Sequence, residues 1–188
     1  MALRPIVEYP HPVLKQRCAE VTEFDAELGR LLDDMRDTMA DAEGLGLAAN
    51  QVAVPKRIFT MLVPAPGASE VDDTTEVLEL VNPRITAKRG ELRFEEGCLS
   101  FPGLSETVLR AAEVEVAFQD RSGTERSRTL GGVAAVCVQH ELDHLDGVTF
   151  LDRLSPLKRR LALRSFSRSQ ANRRYDAIEE QRAAVRGR

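Results

Sequence analysis

His140-Glu141-Leu142-Asp143-His144 places two imidazoles four residues apart with a carboxylate between them. Positions four apart on a helix lie one turn apart on one face, so both rings can address a single cation while Glu141 reaches a water held there. The chain has only three histidines, so a solvated helix face with incidental histidines is the poorer explanation. A catalytic metal site typically uses three protein ligands and leaves one position for water or substrate, so a third donor must come from elsewhere. No histidine supplies it. His144 is followed by Leu145-Asp146-Gly147-Val148-Thr149-Phe150, and the remaining histidine, His11, sits in an N-terminal His-Pro turn and reads as a surface residue.

The cysteines are the next source. Cys18 and Cys137 have bland settings and read first as small buried hydrophobes, although Cys137 precedes His140 on the same helical face and could line a pocket. Cys98 lies in Glu96-Gly97-Cys98-Leu99-Ser100, a small, polar stretch where a thiol is accessible and where Gly97 permits close backbone approach. A thiolate beside a divalent cation is deprotonated as it binds, which makes Cys98 the third ligand with His140 and His144. A Cys-His-His set accepts zinc, iron, cobalt or nickel.

A second run with chemical content is Gly44-Leu45-Gly46-Leu47-Ala48-Ala49-Asn50-Gln51. Its glycines let backbone approach a ligand, its alanines keep the wall low, and Gln51 offers an amide donor to a developing oxyanion. It lacks the third glycine of a dinucleotide loop and the Lys-Ser/Thr of a phosphate loop.

These residues need elements to position them. Phe24, Leu28, Leu31, Leu32, Met35 and Met39 recur at helical spacing and predict an amphipathic helix over 24–42, with Gly44 as its stop. Strands are expected over 57–63, 76–85 and 113–120, the last ending at the turn Arg121-Ser122-Gly123. A helix over 131–146 carries Val133, Val136, Cys137, His140 and His144 on one face and closes at Gly147. Ser155-Pro156 caps a charged C-terminal helix, and the acidic stretch 70–79 reads as a solvated loop. Grouped this way, without βαβ alternation, the elements predict an α+β fold: one domain over 1–188, antiparallel strands around a central H-E-x-x-H helix, and a C-terminal helix.

At 188 residues and 43% hydrophobic content, one domain can bury a sizeable core. Three cysteines are too few, and odd in number, for a disulfide framework, and no run of about 18 apolar residues occurs; the expectation is a cytoplasmic protein with no membrane span. The net charge of −4 hides an asymmetry. Residues 153–188 hold 11 of the 26 Lys+Arg and three acids, a balance of +8, leaving −12 on the first 152 residues. A basic tail bearing Lys158, Arg159, Arg160, Arg164, Arg168, Arg173, Arg174 and Arg182 suggests a polyanionic partner, and deletion beyond Phe166 is expected to spare the active site.

Three motifs in order, G-x-G-L-A-A-x-Q over 44–51, E-G-C-L-S over 96–100 and Q-H-E-x-D-H over 139–144, resemble those of the peptide deformylase family. The resemblance extends over nearly the whole chain, through Asn82-Pro83 and Leu154-Ser155-Pro156. It implies that Cys98, His140 and His144 hold one divalent metal, iron(II) in the family, with zinc, nickel or cobalt as substitutes. It also implies that Glu141 is the acid/base, that Gln51 and the Leu99 N–H stabilise an oxyanion, that Gly46 binds substrate backbone, and that Leu45, Val133, Val136 and Cys137 form a methionine pocket. The substrate would be the N-formylmethionine of nascent polypeptides, the product formate, and the tail's partner ribosomal RNA. The sequence departs from the family where Gly103, Leu104 and Ser105 follow Pro102 and where Leu109 precedes Arg110. The competing readings are an H-E-x-x-H metallopeptidase and a catalytically silent, ribosome-binding relative.

Overall fold

The computed structural model describes residues 2–64 and 75–186. Helix α1 (Ala26–Asp41) starts where the Asp25 carboxylate accepts hydrogen bonds from the N–H groups of Glu27 and Leu28 at 2.9 and 3.0 Å, satisfying donors that a helix start leaves open. Gly44 takes part in its stop, as the sequence suggests: the Gly44 N–H closes on the Met39 carbonyl at 2.9 Å. The left-handed conformation, however, falls on Glu43, with φ of +52°. Gly44 is also crowded, because a Cβ there would stand 2.9 Å from the Leu99 side chain.

Five strands, β1 (Gly46–Ala48), β2 (Ile58–Val63), β3 (Glu76–Arg89), β6 (Glu113–Gln119) and β7 (Glu125–Gly131), pair antiparallel in the order β1-β2-β3-β6-β7. Two more, β4 (Leu92–Gly97) and β5 (Ser105–Arg110), form a separate antiparallel pair. Around β2 the large sheet is covered on both faces, and alternation along the strand decides which side chain meets which helix. Phe59, Met61, Val114, Val116 and Phe118 share a core with Ala135 and Val138 of α2 (Gly132–Leu145). Ile58 and Val81 point the other way, toward Leu28, Leu32, Met35 and Met39 of α1. The first four residues of β2 are therefore all buried, as expected of a strand enclosed on both faces.

A third cluster, Phe101, Val108, Phe150, Leu151 and Phe166, seats the start of α3 (Pro156–Arg186) against β5 and the turn after β4. The β3 ladder shifts register between Val81 and Arg84. There Asn82, at φ +50°, ties Val21 and Gln119 together through its side-chain amide. Among the described residues no helix is long and apolar enough to cross a membrane.

The α+β architecture, the central helix and the C-terminal helix are as the sequence predicts; the strand inventory is larger. β3 runs on to Arg89, and residues 76–79 open that strand instead of belonging to an acidic loop; Val77 pairs with Leu62. Residues 70–74 of that stretch lie outside the described residues. β1 is only three residues long, β7 is exposed along nearly all its length, and β4 and β5 alternate buried with charged positions so sparsely that no strand signal stands out.

Candidate metal centre

Helix α2 is buried from Ala134 to Glu141 and again at Asp143, His144 and Leu145. A helix enclosed this far can carry polar side chains only where they meet partners. On one side it packs into the sheet core; on the other, His140 and His144 face the turn leaving β4, where Cys98 sits half-buried. The Phe101 N–H closes that turn on the Cys98 carbonyl at 2.9 Å. Cys98 Sγ lies 3.2 Å from His144 Nε2, and the ligand atoms of Cys98, His140 and His144 are all within 4.8 Å of one another. One thiol and two imidazoles so grouped are a donor set that suits a borderline divalent cation. Gly97 does not act through close approach as expected: a Cβ there would meet nothing within 4 Å.

Glu141 lies on the same helix, buried, with Oε2 lacking any hydrogen-bond partner. A buried acceptor left open is costly unless a ligand fills the need. Burial first, and the nearby Glu96 charge after it, push its carboxyl up to about 7, with His140 pulling down. Gly46 of β1 passes directly over it. A Cβ on Gly46 would come within 2.6 Å of Glu141 Oε1 and 2.7 Å of Cys137 Sγ, so only glycine fits. Gln51 is held by its Oε1, which accepts from the Ala48 N–H at 2.9 Å. Its Nε2 is thereby turned toward Ser100 Oγ, at 3.2 Å, and Cys98 Sγ, at 3.6 Å. Asn50 Nδ2 donates to the His144 carbonyl at 2.6 Å, tying this edge to the end of α2.

A cavity of about 810 Å³ opens beside these groups. Leu45, Gly46, Val133, Val136 and Cys137 line its apolar part, and Leu99, Pro102, Gly103 and Leu104 contribute further wall. Burial pushes the Cys137 thiol well above its usual value, and Glu141 adds to this, so it remains a protonated wall residue. His11 is exposed, as read from the sequence.

The sequence reading missed what lies behind the histidines. His140 Nδ1 is 2.8 Å from Glu96 Oε2, which leaves Nε2 to face the thiol. Glu96 is itself clasped by Arg110 through Nε at 2.6 Å and Nη2 at 2.9 Å, and Arg110 Nη1 reaches Asp143 at 2.6 Å. Arg153 grips Asp143 from the outer side. Burial alone would raise the Glu96 carboxyl, but the Arg110 and His140 hydrogen bonds hold it below its usual value. Burial likewise opposes charge on His140, yet bonds to Cys98 and Glu96 keep it well above its ordinary value. His144, desolvated and beside His140, is held well below its own. A ligating imidazole must be free of its proton at the donor nitrogen, so loading a cation would release any proton that His140 holds there. Glu96→Gln is expected to lower metal affinity or turnover by about 10–100-fold, as for other carboxylates that orient a ligating imidazole. Metal content per chain and turnover measured on the same sample check this.

An α+β scaffold that groups a thiol and two imidazoles beside a cavity lined by Cys98, His140 and Glu141, with Glu141 Oε2 left without a partner, defines a metal-dependent hydrolase. The comparisons narrow the class. Residues 3–160 match the polypeptide deformylase family. A peptide deformylase of Rhizobium meliloti (strain 1021) is 40% identical over 179 residues, covering 95% of this chain and 100% of the relative. The crystal structure of a peptide deformylase from Legionella pneumophila aligns with a TM-score of 0.81 at 42% identity, over 92% of this chain and 98% of that one. A Met-Ala-Ser-bound class I type b peptide deformylase from Acinetobacter baumannii aligns with a TM-score of 0.74 at 32% identity, over 81% and 99%. The chain belongs to the polypeptide deformylase family.

Proposed function

We propose that the chain hydrolyses the formyl amide of N-formylmethionine at the start of new polypeptides, releasing formate and a free amine. The observation that carries the reading is the unpartnered, buried Glu141 Oε2 on the same helix as two of the three clustered donor residues. Cys98, His140 and His144 would hold the cation, iron(II) by family resemblance, with zinc, nickel and cobalt compatible with the same donors. When bound, the cation supplies Lewis acidity to the water and to the formyl oxygen. Glu141 accepts a proton from the attacking water and returns it to the departing amine nitrogen as the C–N bond breaks. Gln51 Nε2 and the Leu99 N–H donate to the oxygen on which negative charge grows. Gly46 leaves room for substrate backbone beside Glu141, and Leu45, Val133, Val136 and Cys137 receive the methionine side chain. A formyl carbon bears only hydrogen beyond its carbonyl, so a narrow site can admit it and reject larger acyl groups. The Met-Ala-Ser held by the Acinetobacter baumannii relative is the peptide that deformylation of formyl-Met-Ala-Ser leaves.

Formate release from formyl-Met-Ala-Ser, with metal measured on the same sample, is the direct test. Cleavage of internal peptide bonds without formate would favour the metallopeptidase reading. We place the protein in the cytoplasm, where formylated N-termini arise and where its three free cysteines suit a reducing medium.

The basic tail is proposed to dock on ribosomal RNA. Lys158, Arg160, Arg164 and Arg168 are exposed along α3, whereas Arg159 pairs with Asp152; the side chains of Arg174 and Arg182 lie outside the described residues. If the four exposed cations each neutralise a phosphate, affinity should fall by about 10²-fold between about 50 and 200 mM salt. Replacing all four by Ala should weaken cosedimentation with ribosomes and leave hydrolysis of a free formyl-peptide near wild type. Salt-insensitive binding, or binding unchanged in the variant, would reduce the tail to a solvated surface.

A further inference from the structure

The C-terminal helix does more than carry charge. Phe101-Pro102-Gly103-Leu104 forms a turn closed by the Leu104 N–H on the Phe101 carbonyl at 3.1 Å, with Gly103 at φ +77°. A positive φ at the third position is the mark of a type II turn. Types I and II differ chiefly in which way the central peptide faces, so the Pro102 carbonyl is the group that reports and fixes the choice. That carbonyl accepts a hydrogen bond from Arg173 Nη1 at 3.1 Å.

Arg173 is itself held. Nη1 also meets Ser169 Oγ at 3.0 Å, Nη2 meets Glu8 at 3.2 Å, and the guanidinium lies over the Phe166 ring, 5.7 Å from its centre. Phe166 packs on Phe101, which is stacked on Tyr9 at 5.0 Å. The Tyr9 N–H donates to the Ser100 carbonyl, and Gln170 Nε2 donates to the Tyr9 carbonyl. The turn, the N-terminal segment and residues 166–173 of α3 thus form one packed unit. Pro102, Gly103 and Leu104 line the same cavity as Glu141.

We propose that Arg173 is a positioning residue for substrate binding, holding the 102–103 peptide in its type II orientation and so fixing one wall of the cleft. The boundary between tail and active site falls past Arg173, and deletion beyond Phe166 would not spare hydrolysis. This rests on the deformylase reading of the cavity, which wild-type formate release tests by itself before any variant is compared.

Two routes reach the same turn. Arg173→Ala removes the donor. Gly103→Ala strains the backbone without steric contact, because Gly103 is exposed and a Cβ there would meet nothing within 4 Å. In the full chain each is expected to raise KM for formyl-Met-Ala-Ser by about five- to tenfold, with kcat and metal content within about twofold of wild type. The double variant should be little worse than either single, since both act through one turn. Arg173→Lys, which keeps one donor, should recover part of the KM. An unchanged KM in Arg173→Ala overturns the proposal. So does a fully additive double variant, or a loss confined to kcat and thermal stability, which would mark Arg173 as a support of the fold alone.

Discussion

Glu141→Gln is expected to reduce formate release by about 10²–10⁴-fold while the cation stays bound, the range over which a positioned general acid/base acts. The amide is close in shape to the carboxyl, so Gly46 still fits above it and the helix is undisturbed. What is lost is the ability to take a proton. The size of the effect separates three roles. If Glu141 were a ligand, metal would leave with the activity; if it only filled space, the isosteric amide would be nearly silent. The pH profile adds a sign. Glu141 must be ionised to accept a proton, so kcat/KM should fall as pH drops through its folded value. Burial sets that value at about 7, and the positive charge of a cation pulls it lower, so the acid limb should lie below 7. In the Gln variant the residual rate should lose this limb. A limb that persists unchanged would assign it to another group.

Much of this site was legible because its signals are local. His140 and His144 are one helical turn apart, and the apolar spacing of Val133, Val136 and Cys137 predicted the helix that carries them. Cys98 was found by elimination among three cysteines and by its small, polar neighbours. The supporting groups were not legible by the same logic. Glu96 and Arg110 meet across the β4–β5 pair, and Arg110 reaches Asp143 on α2; no fixed spacing connects them. Their hairpin escaped notice for a related reason. With one face exposed and charged, its residues lack the dense β-branched pattern that marks enclosed strands such as β2. Gly44 and Gly97 show the converse limit. Gly97 makes no close approach, whereas Gly44 both closes the helix end and makes one, and the left-handed turn beside it falls on Glu43.

The Glu96–Arg110–Asp143 group also explains how an almost wholly buried helix tolerates so much polarity. Removing one member of a buried ion pair leaves an uncompensated charge, a loss of about 3–5 kcal/mol, whereas replacing the set by apolar residues can be neutral. The charges are therefore better understood through what they hold than through stability. Glu96 fixes the imidazole of His140, Arg110 fixes Glu96, and Arg153 closes the group at the surface, with Asp143 between the two arginines. Glu96→Gln should accordingly disturb metal binding more than an equally buried apolar substitution would.

Removing the cation should abolish formate release altogether, because in the proposed reaction Glu141 and Gln51 act on a water and an oxygen that need its Lewis acidity. Which ion restores the activity tests the iron(II) reading. Dialysis against a chelator, then loading in the absence of air, should give active protein with iron(II), nickel or cobalt. On exposure to air or peroxide the iron form should fade while the nickel and cobalt forms persist. Full activity of a zinc form, with no loss of the iron form under the same oxidation, would contradict iron as the native ion. Two kinds of damage must be told apart, since Cys98 is the half-buried thiol at the site and could itself gain oxygen. Cys137 is a poor competitor: it is buried and its thiol is held protonated by desolvation. Intact mass after exposure decides the matter. If the iron form loses activity with no added oxygen and nickel restores it, the metal was the target. If the chain gains oxygen at Cys98 and no ion restores turnover, the thiol was, and under the proposed ligand set its loss should also release the cation.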